Sequence, residues 1–126
     1  MINVFVYGTL LTGGSAHGKI ARFVRSVSPG TVRGIMVSAG AYPALILQTG
    51  GNLVRGEWLE AEEAALPVMD EWEEFFGPGD PRNEYERVWV TDAGGLKEGW
   101  AYVWQDERGC PRIPGGSWPA FLAGEL

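Results

Sequence analysis

The stretch Val4-Phe5-Val6-Tyr7-Gly8-Thr9-Leu10-Leu11 decides how the rest of the chain reads. Apolar, β-branched and aromatic residues run uncharged into a glycine, the pattern of a buried strand that ends in a sharp turn. Gly8 admits a backbone conformation, or a close approach by another group, that a Cβ would hinder. Just past it, the N–H groups of Gly8, Thr9 and Leu10 can converge on one oxygen, with the Tyr7 ring alongside. A strand that stops at an amide-lined turn is one way to present a small-molecule site.

The bulk composition sets bounds on that site. At 126 residues the chain is expected to form a single domain spanning 1–126, large enough to bury a core without metal or disulfide support. A net charge of −6 argues against nucleic acid and against an anionic membrane surface as partner. The single cysteine, Cys110, excludes an intramolecular disulfide. The opening residues carry no basic segment, long apolar run or cleavage signature, so a cytoplasmic location is expected. Nineteen glycines and eight prolines imply many turns and therefore a β-rich chain with little long helix.

Outward from the opening strand, Thr12-Gly13-Gly14 reads as a loop and Ser15 as the N-cap of a short helix through residue 25. Pro29-Gly30 ends that connection. Residues 31–37, 42–47 and 53–59 read as strands, separated by turns at 38–41 and 50–52. Residues 60–76 form the acidic helical stretch, with Pro67 expected to break it or to begin a second helix. Gly77-Pro78-Gly79-Asp80-Pro81 stops it. Two more strands follow at 85–91 and 96–104, and then a turn-rich tail closes with Trp118. About seven strands joined by short turns, with two or three short helices, predict an α+β fold. Its expected form is a small, mixed, mostly antiparallel and partly closed β-barrel.

Within the acidic stretch, Met69, Trp72, Glu73 and Phe76 stand at i, i+3, i+4 and i+7, which places a carboxylate on an apolar helix face. Desolvation there raises a carboxyl pKa and suits it to general acid–base work. The alternative is that Glu73 lies at the edge of the stripe and reaches water or pairs with Arg87. Asp70, Glu71 and Glu74 read as solvated helix-surface charges, and Glu57 and Glu60 as strand-end and helix-start charges. His17, the only histidine, sits at a polar helix start, and no serine or cysteine carries a local nucleophile motif. The acids and the one histidine show no metal-ligand spacing.

Taken together, these motifs resemble the γ-glutamylcyclotransferase superfamily, in its short branch of γ-glutamylamine cyclotransferases and AIG2-like proteins. Residues 4–10 resemble the opening strand and substrate loop, Tyr42-Pro43-Ala44-Leu45 the Tyr-Pro segment, and Val54-Arg55-Gly56-Glu57 the Gly-Glu strand. Met69-Asp70-Glu71-Trp72-Glu73 resembles the Leu-Asp-x-x-Glu signature, followed by Tyr85-Glu86-Arg87. Ala101-Tyr102-Val103-Trp104 and Ile113-Pro114-Gly115-Gly116-Ser117-Trp118 resemble the last strand and closing turn. The chain departs from the pattern where Glu74 replaces a frequent glycine, where residues 77–81 lengthen a loop, and at Ser117 and Phe121.

The resemblance implies a γ-glutamyl small-molecule substrate and no metal or cofactor. Glu73 would be the general acid–base, and Tyr7, Gly8, Thr9, Leu10, Tyr42 and Tyr85 would bind substrate. The α-amine would attack the γ-carbonyl and release 5-oxoproline, with the turn amides holding the substrate carboxylate or a developing oxyanion. Two other readings remain: a non-catalytic small-ligand-binding module on the same fold, and an accessory enzyme that removes a γ-glutamyl protecting group during biosynthesis.

Overall fold

A computed structural model describes residues 1–124. Six strands form one mixed sheet in the order β3-β2-β4-β1-β6-β5. They are β1 (Ile2–Val6), β2 (Val24–Ser38), β3 (Pro43–Leu47), β4 (Asn52–Ala61), β5 (Glu86–Thr91) and β6 (Glu98–Val103). Only the β1–β6 pairing is parallel, and the other neighbours run antiparallel. The sheet curls until β3 reaches the end of β6. There Ile46 bridges Trp104, and the Trp104 N–H donates to Leu45 O at 2.9 Å. The result is the expected mixed, mostly antiparallel half-barrel with few short helices, α1 (Ala65–Trp72) and α2 (Trp118–Leu122).

β1 lies between β4 and β6, so both of its edges are paired, and the core covers both of its faces. Val4 and Val6 pack with Leu59, Ile20 and Met69, while Phe5 and Tyr7 pack on the other side with Trp58, Leu45 and Val103. Double-sided burial is why this strand reads as a continuous apolar run instead of an alternating one.

Three expectations need correction. The sheet has six strands, and residues 15–25 hold no α-helix. Instead His17–Lys19 and Ala21–Phe23 are single 3₁₀ turns, in a segment where Gly14 and Gly18 disfavour helix propagation. β2 begins at Val24 and runs through Pro29-Gly30, pairing with β4 from Val24 to Gly34. β3 covers only Gly34–Ser38 on the other side, so Pro29 lies where β2 has an open edge and its missing N–H is tolerated.

The acidic stretch is also shorter than expected. Glu60 belongs to β4, and α1 spans Ala65–Trp72. Pro67 neither breaks the helix nor starts it. It is the third helical residue, in the first turn, where N–H groups have no intrahelical partner. Met69 is fully buried, but Trp72 and Phe76 are 43% and 52% exposed, so the proposed apolar stripe does not continue past Met69. In the tail, Ser117 accepts a hydrogen bond from the Ala120 N–H and caps α2, with Pro119 in its first turn.

Candidate active site

The end of α1 fixes where Glu73 points. Glu73 is the C-cap, the Glu74 N–H donates to Glu71 O at 3.2 Å, and the Phe75 N–H donates to Asp70 O at 2.9 Å. Those two bonds define a Schellman ending, with Glu74 at φ 54° in the left-handed position that glycine usually fills. Phe75, not Phe76, turns into the core. Glu73 itself keeps the helical bond from its N–H to Met69 O at 2.8 Å and so shares the face of the buried Met69, while the ending turns the chain away after it.

A cavity of about 390 Å³ opens between this helix end and the turn after β1. All seven residues singled out from the sequence line it: Glu73 at the helix end, Tyr7, Gly8, Thr9 and Leu10 along the strand end, and Tyr42 and Tyr85 opposite. The helix end and the turn are joined directly, since the Trp72 indole N–H donates to Thr9 Oγ1 at 3.2 Å.

The turn itself is tied down from outside. Leu11 N–H donates to Gly8 O, Ala16 N–H to Thr9 O, and His17 Nδ1–H to Leu10 O at 2.8 Å. Glu57 accepts the Thr12 N–H at 2.8 Å, so it anchors the loop and is more than a strand-end charge. Among the described residues, the N–H groups of Gly8, Thr9 and Leu10 have no protein acceptor. At Gly8 a Cβ would lie 2.7 Å from the Pro43 ring, so only glycine lets the Tyr42-Pro43 segment close against the turn.

The tyrosines differ in what they offer a ligand. Tyr7 is buried, and its hydroxyl is used internally: it donates to Tyr102 O at 2.6 Å and accepts from the Leu45 N–H at 3.0 Å. Burial, and then the Glu73 charge, hold its pKa well above the ordinary value. Tyr85 donates to Pro43 O at 2.7 Å, and burial likewise keeps it protonated. Tyr42 is more open and lies 3.4 Å from a Glu84 carboxylate oxygen.

Burial pushes the Glu73 carboxyl up from 4.5 to about 7, and the nearby Glu84 charge pushes in the same direction. No Glu73–Arg87 pair forms. Arg87 instead binds Asp70 at 2.6 Å, and Asp70 also accepts the Tyr102 hydroxyl at 2.6 Å. Asp70, read from sequence as a solvated charge, is thus partly buried and fully engaged. The sequence reading gave Asp70, Tyr102 and Glu84 no role at the site. The first stands three residues before Glu73 on α1, and that spacing was the available signal. Among the described residues, no group of three His, Cys, Asp or Glu side chains is placed to hold a metal ion, and no helix is long and apolar enough to cross a membrane.

Solved structures share this fold. An uncharacterised protein from Pyrococcus horikoshii superposes with a TM-score of 0.75 at 18% identity, over 98% of this chain and 95% of that one. An AIG2-like protein from Mus musculus gives 0.70 at 20% identity, over 94% and 88%. The architecture is therefore the AIG2-like half-barrel. The profile of the family described as "Gamma-glutamyl cyclotransferase, AIG2-like" matches residues 4–120. A curated relative from Niallia circulans, gamma-L-glutamyl-butirosin B gamma-glutamyl cyclotransferase, is 41% identical over 107 residues, covering 82% of this chain and 67% of the relative. The chain belongs to the γ-glutamyl cyclotransferase, AIG2-like family and is an enzyme of that family.

Proposed function

We propose that this enzyme cleaves a γ-glutamyl amide by intramolecular attack of the substrate's own α-amine, releasing 5-oxoproline and the free amine. The observation that carries this reading is that one cavity is lined both by Glu73, whose carboxyl is raised to about 7, and by the Gly8-Thr9-Leu10 turn, whose N–H groups have no acceptor among the described residues. The nucleophile is part of the substrate. The protein has only to hold the folded conformer, which converts binding energy into proximity.

Glu73 as carboxylate takes a proton from the α-ammonium, and the freed amine attacks the γ-carbonyl. Over the whole reaction two protons pass from the attacking nitrogen to the departing amine, which leaves as an ammonium. Glu73 is suited to both directions because its pKa lies near neutrality. The Gly8-Thr9-Leu10 amides take a substrate oxygen, either the α-carboxylate or the oxyanion that develops at the γ-carbon. Tyr7, Tyr42 and Tyr85 shape the walls, and Tyr7 and Tyr85 offer their rings, since both hydroxyls are already committed.

The size of the cavity favours the γ-glutamyl derivative of a larger amine, because a γ-glutamyl group fills only part of 390 Å³. The Niallia circulans relative is named for such a derivative, that of butirosin B, which supports a role in removing γ-glutamyl groups from amines. Incubation with a panel of γ-glutamyl amines and γ-glutamyl amino acids, with 5-oxoproline followed by mass spectrometry, tests the reading. Release from at least one member is expected. A protein that binds members of the panel without releasing 5-oxoproline would be a ligand-binding module instead.

A further inference from the structure

His17, the one histidine in the chain, does not line the cavity, yet it lies against the back of the turn that carries the substrate amides. The segment behind that turn is bonded to its carbonyls one after another. Gly14 N–H donates to Leu11 O at 2.7 Å, Ala16 N–H to Thr9 O at 2.9 Å, and His17 Nδ1–H to Leu10 O at 2.8 Å. A carbonyl can only accept, so Nδ1 is a nitrogen that carries a proton. The approach is close: a Cβ at Gly14 would sit 2.4 Å from Thr9 O. Among the described residues, His17 is the one side chain that bonds a carbonyl of Gly8, Thr9, Leu10 or Leu11.

These bonds set the direction of the turn's N–H groups. In a planar trans peptide the C=O and N–H point opposite ways. Gly8 O is drawn to the Leu11 N–H at 3.1 Å, so the Thr9 N–H faces the other way. Thr9 O is drawn to Ala16, and the Leu10 N–H is turned in the same manner. His17 stands at the head of a series. It bonds the Leu10–Leu11 peptide, whose N–H bonds the Gly8–Thr9 peptide, whose own N–H has no acceptor among the described residues. Hydrogen bonds in series polarise one another, so a donor at the head strengthens the donor at the end.

We propose, resting on the cyclotransferase reading above, that His17 is a positioning residue for the cyclisation. From outside the cavity, through the Leu10–Leu11 and Gly8–Thr9 peptides, it aims and strengthens the Thr9 N–H that holds the substrate oxygen. It neither touches substrate nor carries the reaction's proton. Its contribution is a donor held at one fixed point behind the turn.

The test uses three substitutions that differ in where they place a donor. The amide of Asn presents one near the place of Nδ1, that of Gln one methylene farther out, and Leu presents none. On a γ-glutamyl amide that the parent cleaves, and well below each melting temperature, His17→Leu and His17→Gln should each lose about tenfold in kcat/KM, the worth of one hydrogen bond. His17→Asn should stay within about threefold of the parent. The Gln variant keeps a polar side chain and carries the test if Leu unsettles the loop. A Gln variant as active as the parent, or an Asn variant that loses as much as Gln, overturns this proposal while cyclotransferase activity stands. Failure of the parent to release 5-oxoproline from any member of the γ-glutamyl panel overturns the reading beneath it as well.

Discussion

Tyr102 donates its hydroxyl to Asp70 Oδ1 at 2.6 Å, joining the cavity wall on β6 to the helix that ends in Glu73. Arg87 holds the other oxygen of the same carboxylate at 2.6 Å. The Asp70 backbone carbonyl meanwhile accepts the Phe75 N–H that closes the helix ending. One residue thus fixes the helix end both to the sheet and to its own terminal turn. Asp70→Ala should destabilise by about 3 kcal/mol, because it leaves a partly buried guanidinium whose Nε already lacks a partner. Tyr102→Phe, which removes one charge-assisted bond, should cost about 1.5–2 kcal/mol. Urea unfolding midpoints check both, and two near-neutral substitutions would contradict the network.

Gly8 is confined by the Pro43 ring. An added Cβ would sit 2.7 Å from Pro43 Cγ and 2.8 Å from Cδ, so the turn or the Tyr42-Pro43 segment must move. Gly8→Ala should therefore cost about 1–3 kcal/mol in thermal or urea unfolding, as overpacking does. It should also lower kcat/KM by displacing the amides from the substrate oxygen. A variant with unchanged stability and activity would mean that the contact is slack.

Glu73 makes the folded state sensitive to pH in a direction opposite to that of a salt-bridged carboxylate. Its pKa is about 7 when folded, against 4.5 ordinarily, so the folded chain keeps a proton that the unfolded chain has released. Stability from this group is present below pH 4.5 and is lost as the pH rises to about 7. The gap corresponds to roughly 3 kcal/mol. Glu73→Gln should accordingly be more stable than the parent at pH 8, with the difference vanishing near pH 4. A stability difference that does not vary with pH would show that Glu73 is not held in a desolvated site.

Glu84 adds to the same shift by like-charge repulsion. If Glu73 sets the acid limb of the kcat/KM profile, that limb should lie near pH 7 and move to lower pH in Glu84→Gln. An unmoved limb would detach Glu84 from the proton chemistry.

Much of this arrangement was legible in the sequence, though sometimes for the wrong reason. The opening strand and its turn were plain because β1 is covered on both faces and its glycine stands at the break. Glu73 was picked out by a helical stripe that in fact ends at Met69. Glu73 faces inward one helical turn after the buried Met69, and the Schellman ending that follows it was hidden because its left-handed position holds Glu74 instead of glycine. The first half of β2 was hidden for a related reason. Pro29-Gly30 reads as a stop, and only the short reach of β3 makes proline acceptable there. The Asp70–Arg87–Tyr102 contacts join α1, β5 and β6, and no local pattern encodes contacts of that range.

The central claim is that Glu73 carries the proton of the cyclisation. Its most direct test is steady-state release of 5-oxoproline by parent and Glu73→Gln proteins on a γ-glutamyl amine, at a pH above the acid limb. Loss of the proton carrier should lower kcat by about 100-fold or more while leaving KM within a small factor. A Glu73→Gln protein that retains the parent kcat would contradict the mechanism.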